Sequence, residues 1–225
     1  LGLIGPNGAG KTTLFNIIAG AIKPSSGRII YQGQDISGLP PAEITALGIA
    51  RTFQNIRIFK NLTVLENLLI ALHLRASYGF WDALFHAHSY KKQEKRVLER
   101  VEELLDVFRL REYKGHLAKN LPYGVQKRVE IARAMAENPR VLLLDEPVAG
   151  AGTEEVTEIM SMIKWLRNEF GLSIILIEHD MKVVMGICEK IVVLDAGKKI
   201  AEGEPEKIQN DPQVIEAYLG KRFKK

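Results

Sequence analysis

Gly5-Pro6-Asn7-Gly8-Ala9-Gly10-Lys11-Thr12-Thr13 fits the spacing G-x-x-x-x-G-K-[ST], that of a loop wrapping a nucleotide polyphosphate. The apolar run Leu1-Gly2-Leu3-Ile4 precedes it and Leu14-Phe15-Asn16-Ile17-Ile18-Ala19-Gly20 follows, so the loop is predicted to join a buried strand to a helix. In that context glycines let backbone N–H groups turn onto phosphates, the helix N-terminus adds partial positive charge, and Lys11 brings a full charge to the terminal phosphates. Asn7, Gly8, Ala9, Gly10, Lys11, Thr12 and Thr13 are therefore the expected nucleotide-binding residues, with the Thr12 hydroxyl on magnesium. A chance Gly-rich turn is the plainer reading, and it weakens as later segments agree with the loop.

A chain of 225 residues with 46% hydrophobic and 26% charged residues can bury a large core, as one domain or as two lobes sharing a site. No apolar run approaches the roughly 20 residues of a membrane span, so any membrane involvement requires a partner that supplies the spans. The only cysteine, Cys188, excludes an internal disulfide and a Cys-based zinc cluster and fits a reducing compartment. Lys221, Arg222, Lys224 and Lys225 account for the whole formal excess of +4, which leaves a neutral body and argues against a general nucleic-acid-binding face. That tail reads as a solvated end rather than a lipid anchor. Leu1 is not an initiator methionine and the first strand is short, so the chain reads as truncated at its start.

Pro24-Ser25-Ser26-Gly27 is a turn cluster, and Arg28 to Tyr31 followed by Gln32 to Ile36 reads as a β-hairpin. Pro40 to Ile44 starts a helix, and Gly48 to Gln54 returns to extended chain leading into a loop. From about residue 60 to 137 the pattern is helical. Thr63 to Leu74 is a helix capped by Thr63 with Glu66 three residues on, and Val97, Leu98, Val101, Leu104, Leu105 and Phe108 form the apolar stripe of a helix of about three turns. The aromatic segment Tyr78 to His88 is either a partner-docking surface or local packing, and its His86 and His88 lack neighbours that would complete a metal site. Strands resume at Val141-Leu142-Leu143-Leu144, Ile174-Ile175-Leu176-Ile177 and Ile191-Val192-Val193-Leu194, with a helix from Glu154 to Phe170 and a last hairpin turning at Asp195-Ala196-Gly197-Lys198. Apolar runs without polar alternation are expected to be buried on both faces of a parallel sheet.

The strand from Val141 ends in Asp145-Glu146-Pro147, which places two carboxylates at the carboxyl edge of a sheet, where ligands of open α/β folds bind. Asp145 is expected to hold magnesium opposite Thr12, and Glu146 to face the terminal phosphate and polarise an attacking water. Ile177-Glu178-His179-Asp180 ends the next strand alike, so His179 is expected at the same edge. Gln54 carries an amide able to offer oxygen to magnesium and N–H to water, although a glutamine in a loop is weak evidence alone.

With Leu121-Pro122-Tyr123-Gly124-Val125-Gln126-Lys127-Arg128-Val129-Glu130-Ile131-Ala132-Arg133-Ala134-Met135, nearly the whole chain resembles the ATP-binding-cassette (ABC) ATPases, most of all the ATPase subunits of branched-chain amino-acid importers. Gly5 to Thr13 matches the Walker A motif, Gln54 within Arg51-Thr52-Phe53-Gln54-Asn55 the Q-loop, Val141 to Pro147 the Walker B strand with its glutamate, and His179 the switch histidine. Leu121 to Gln126 stands at the signature position, and the ending Asn210-Asp211-Pro212-Gln213-Val214-Ile215-Glu216-Ala217-Tyr218-Leu219-Gly220 adds likeness to the subfamily.

The resemblance implies an α/β fold: a phosphate-loop NTPase (RecA-like) core over residues 1–55 and 138–225, an inserted helical subdomain over 56–137, and a remnant antiparallel β subdomain. It implies ATP and Mg2+ as cofactors, Glu146, His179 and Gln54 as catalytic residues, with His179 on the γ-phosphate, and Thr12, Gln54 and Asp145 around the metal. It further implies an ATP sandwich in which Tyr123, Gly124, Val125 and Gln126 meet the nucleotide of a second ABC ATPase subunit, identical or paralogous, because Gly124 opens a helix whose N-terminal dipole can point at an anion. Transmembrane permease subunits docking beside Gln54, a peripheral place on the cytoplasmic face of the inner membrane and no nucleic-acid partner complete the expectation.

The chain departs from the family's pattern at Pro122 in place of serine, at Val125 in place of Gln or Glu, and at Ala151 and Gly152, where relatives often carry Leu or Met and then Asn or Asp. The family's leading strands and its adenine-stacking aromatic residue are absent from the sequence. Three other classes remain open: a cassette ATPase acting on nucleic acid or ribosomes, a phosphate-loop kinase, and an ATPase for lipid or lipopolysaccharide export. The first wants a coiled-coil insertion, a zinc-hook cysteine pair or a second cassette, and the second an acceptor lid in place of a signature helix.

Overall fold

The computed structural model describes residues 1–73 and 88–219. The chain divides into two compact units, Leu1–Gln54 together with the chain from Pro139 onward, and Asn55–Asn138.

The first unit is built on a six-stranded sheet with β1 (Gly2–Ile4), β4 (Ile49–Arg51), β5 (Val141–Asp145), β6 (Ser173–Ile177), β7 (Ile191–Asp195) and β8 (Lys198–Gly203) in the order β4-β5-β6-β1-β7-β8. All neighbours run parallel except the hairpin β7–β8. A separate two-stranded antiparallel sheet joins β2 (Ile30–Tyr31) and β3 (Gln34–Asp35). Both hairpins turn on two residues with positive φ, Gln32 and Gly33 in one and Ala196 and Gly197 in the other, the geometry that matches strand twist. The helices of this unit are α1 (Lys11–Ile18), α2 (Pro41–Ala46), α6 (Thr153–Phe170), α7 (Met181–Ile187), α8 (Pro205–Gln209) and α9 (Pro212–Leu219).

Leu142, Leu143 and Leu144 are fully buried, as expected of a strand covered on both faces, and Leu3, Phe15, Ile44, Ile49, Leu143 and Ile177 share one core cluster. α6 starts where the Glu155 side chain accepts the Gly152 N–H at 2.9 Å, and it buries Ile159, Ile163 and Leu166, one face at helical spacing. Each such side chain contributes roughly 1.5–3 kcal/mol. β6 departs from the expected continuous burial. Leu176 and Ile177 are buried, but Ile174 and Ile175 are only partly buried; both border a cavity of about 400 Å3 beside Ile163, Arg167 and Cys188, and Ile175 also packs against the core cluster.

The second unit holds α3 (Val64–His73), α4 (His88–Val107) and α5 (Tyr123–Met135), with short 3-10 turns at Arg111–Tyr113 and Ala118–Asn120. The expected cap forms: Glu66 Oε2 accepts the Thr63 N–H at 2.7 Å and Thr63 Oγ1 accepts the Glu66 N–H at 3.2 Å. α4 is longer than the three turns expected, and of its stripe Val97, Val101, Leu104 and Leu105 are buried, with Phe108 buried just past its end. Leu98 corrects the expectation: it is 50% exposed, because its place next to Val97 turns it about 100° off the buried face. The aromatic segment from Tyr78, including His86 and the side chain of His88, and the basic tail lie outside the described residues. No described helix is long and apolar enough to cross a membrane.

Candidate functional site

The loop between β1 and α1 takes a shape that only its residues permit. Gly5 has φ 149°, and a Cβ there would stand 2.0 Å from the Leu194 carbonyl oxygen, so the chain passes against β7 only as glycine. Gly10, at φ 97°, caps α1 without a side-chain hydrogen bond, which leaves the first-turn N–H groups, without intrahelical acceptors by helix geometry, uncapped by a side chain. Asn7, Gly8, Thr12 and Thr13 are exposed, while Ala9 and Lys11 are buried. Lys11 Nζ donates to the Gly5 carbonyl at 2.7 Å and the Pro6 carbonyl at 3.0 Å, bracing the loop from within. Burial pushes the Lys11 ammonium below its ordinary range, against the opposing pull of the Glu146 and Asp145 charges. The Lys11 amine and the first-turn N–H groups of α1, with Ala9 N–H closing the loop on the Pro6 carbonyl at 3.2 Å, form a cradle that fits a polyphosphate.

The strands then bring the acidic edge together. The register pairs Asp145 with Ile177, so β5 and β6 end level and the residues that follow, Glu146 and Glu178-His179, emerge side by side. Glu146 is held in the left-handed region at φ 46°, uncommon for a carboxylate residue and typical of strained functional positions, with its N–H on the Ile177 carbonyl at 2.9 Å. Its Oε1 accepts His179 Nε2 at 2.8 Å and its Oε2 accepts Gln54 Nε2 at 2.7 Å. Glu146, His179 and Gln54, distant in sequence, thus form one cluster in which both carboxylate oxygens are engaged.

Two further contributors were not singled out from sequence. Glu178 is buried, and its carboxylate accepts N–H bonds from Val148 at 3.1 Å, His179 at 3.0 Å and Asp180 at 3.4 Å, tying the segment after Glu146 to the segment of His179. Burial pushes its carboxyl above the usual carboxylate range, the three N–H donors oppose that rise and the Glu146 charge adds to it. Arg51, the last residue of β4, donates to Asp145 Oδ2 at 2.9 Å and to Asn16 Oδ1 at 2.6 Å, linking the strand that leads to Gln54, the helix after the phosphate loop, and the acidic strand end. Only the Arg51-Thr52-Phe53-Gln54 stretch hinted at it, since Arg51 stands three residues before Gln54.

In the other unit, α5 begins after Pro122, which gives it no side-chain cap. Tyr123, Gly124 and Gln126 are partly exposed, and Gln126 Nε2 donates to the Leu121 carbonyl at 2.8 Å. The Val125 side chain is buried in its own unit, so that position offers only backbone outward.

The Asp145 carboxylate, the Thr12 hydroxyl and the Gln54 amide oxygen are hard oxygen donors, few in number, the set that suits Mg2+ keeping several waters and phosphate oxygens. Among the described residues no cluster of three or more His, Cys, Asp or Glu side chains forms an all-protein cage.

Residues 1–149 match the family model described as ABC transporter, and residues 198–224 match that described as branched-chain amino acid ATP-binding cassette transporter. The chain is 45% identical over 218 residues to the high-affinity branched-chain amino acid transport ATP-binding protein LivG of Escherichia coli K12, covering 97% of this chain and 86% of that one. It superposes with TM-score 0.83 and 35% identity on the ADP conformation of an ATP-binding cassette of an ABC transporter, covering 97% of this chain and 87% of that one. A dimeric post-hydrolysis ATP-binding cassette bound to ADP and Pi matches with TM-score 0.72 and 29% identity, over 91% of this chain and 84% of that one. On the family match over residues 1–149 and the likeness to these relatives, the chain belongs to the ABC transporter family, as an ATP-binding cassette with ATPase activity.

Proposed function

We propose that the chain powers import of branched-chain amino acids through separate transmembrane subunits, working from the cytoplasmic face of the membrane as one of a pair of cassettes. The observation that carries the chemical part is the shared carboxylate: Glu146 is bound by His179 and by Gln54 at the strand edge where the phosphate loop opens. The likeness to LivG and the match over residues 198–224 support the solute, and the dimeric relative supports the pairing.

In this reading the N–H groups of Asn7 to Thr13 and the Lys11 ammonium bind the phosphates of ATP. Thr12, Asp145 and Gln54 would hold Mg2+, which when bound would offset the negative charge of the terminal phosphates. A water entering at Glu146 replaces one of its two hydrogen bonds, and Glu146 then takes up a proton as the water attacks the γ-phosphorus. His179, released from Oε1, has Nε2 positioned to donate to a γ-phosphate oxygen. Tyr123 to Gln126 serve the nucleotide of the partner cassette through the first turn of α5, with Val125 acting through its backbone.

The test is to purify the cassette with the membrane subunits that associate with it and ask which solute, presented with its binding protein, stimulates ATP hydrolysis. Stimulation by leucine, isoleucine or valine is expected. Stimulation by a lipid or lipopolysaccharide instead, or no membrane protein associating, overturns the proposal.

A further inference from the structure

The Asp145 carboxylate is not waiting for a cation. Its side chain is 5% exposed and that of Arg51 is 9% exposed, with NH2 to Oδ2 at 2.9 Å. The pairing follows from register: Arg51 ends β4 opposite Leu143, two residues short of the end of β5, which is the reach of a guanidinium. The same guanidinium lies 5.7 Å from the Phe15 ring centroid and 5.2 Å from that of Phe53. Its Nε is buried without a partner, so charge and ring faces hold it rather than a full set of hydrogen bonds. Lys11 acts on Asp145 only through its charge, since its Nζ hydrogen bonds go to the Gly5 and Pro6 carbonyls; the direct contact is that of Arg51.

A carboxylate this buried and lacking a counter-charge attracts any divalent cation of the medium, whereas a paired one does not. We infer that Arg51 is a positioning residue and resident counter-cation: it keeps Asp145 compensated, so that the site refuses free Mg2+ and admits the metal only together with a triphosphate. The triphosphate carries enough negative charge to hold the ion despite the guanidinium nearby. The inference rests on the proposed role of Asp145 toward the metal of the bound nucleotide.

The test uses melting temperature and calorimetric titration of the wild type, Arg51→Gln and Arg51→Lys, each with MgCl2 alone, ATP alone and MgATP. In the wild type, 10 mM Mg2+ alone is expected to move the melting temperature by less than about 1 °C, while MgATP raises it by several degrees. Arg51→Gln is expected to melt on the order of 10 °C lower and to regain about 3–6 °C with Mg2+ alone. Arg51→Lys, which retains the charge, is expected to stay unresponsive to Mg2+ alone, and the double variant Arg51→Gln/Asp145→Asn to recover stability and lose the response.

A wild type stabilised by Mg2+ alone, or an Arg51→Gln protein indifferent to it, overturns the inference. If Arg51→Gln is recovered folded only in Mg2+ buffer and not in K+ buffer of equal ionic strength, the inference stands; recovery in neither overturns it. Failure of the wild type to respond to MgATP at all overturns the site reading instead, so the two failures are distinguishable.

Discussion

Glu146 and His179 stand 33 positions apart in the chain, and their side chains meet at 2.8 Å because β5 and β6 end in register at Asp145 and Ile177. The second oxygen of the same carboxylate is taken by Gln54, three residues past the end of β4, the strand on the other side of β5. One carboxylate therefore joins the segments that follow two neighbouring strands.

Glu146→Gln keeps the shape but has a single accepting oxygen, so it retains one of the two contacts and removes the proton acceptor. Nucleotide affinity should hold within about twofold and turnover should fall on the order of a hundredfold or more, read by phosphate release under saturating MgATP. Unchanged turnover would remove Glu146 from the role of base.

Glu178 gives a prediction on pH. Because burial raises its carboxyl in the folded protein, the folded state holds that proton more tightly than the unfolded chain does. The stability it contributes is fully present below the unfolded value and is lost as pH rises through the folded one. Glu178→Gln has no such titration, so the unfolding free energy of the wild type relative to this variant should fall as pH rises above the ordinary glutamate value of about 4.3, read in urea titrations. A difference that is flat or rises with pH contradicts the assignment.

The phosphate loop offers a contrast of two glycines. A methyl at Gly5 meets the Leu194 carbonyl oxygen at 2.0 Å, whereas one at Gly8 has nothing within 4 Å and bears only the strain of φ 81°. Gly5→Ala should cost about 2–4 kcal/mol and reduce ATP affinity more than tenfold; Gly8→Ala should cost about 1–2 kcal/mol. Equal losses in both variants, by thermal melting, would show that the close approach to β7 does not govern the loop.

In the second unit, Asn67 is fully buried and serves the chain on either side of Thr63: its Oδ1 accepts the Phe59 N–H at 2.8 Å, and its Nδ2 donates to the Phe59 carbonyl at 3.0 Å and the Thr63 carbonyl at 2.9 Å. Asn67→Ala leaves those groups without their partner and should destabilise by about 2–4 kcal/mol, with amide exchange accelerating from Phe59 to Thr63. Acceleration spread evenly over the chain would speak for global loosening instead.

Much of this was legible in linear form. The glycine and lysine spacing of residues 5–13, the apolar runs at Val141, Ile174 and Ile191, and the Thr63–Glu66 cap depend on near neighbours, and local chemistry specifies them. Leu98 was misread because a periodic pattern tolerates one apolar residue beside the stripe, and only the packed helix shows which face is covered. Ile174 and Ile175 were misread because burial depends on what packs above a strand, and both are only partly covered.

By itself the sequence determined the ligand class, the alternation of strands and helices, and the carboxylates placed at a strand end, since spacing and hydrophobic period carry these. Only the tertiary structure decided that Glu146 binds both His179 and Gln54, that Glu178 ties their segments together, and that Arg51 compensates Asp145. The physical reason is register: a parallel sheet brings residues far apart in sequence to one edge, and a shift of one position along a strand would turn each side chain to the opposite face.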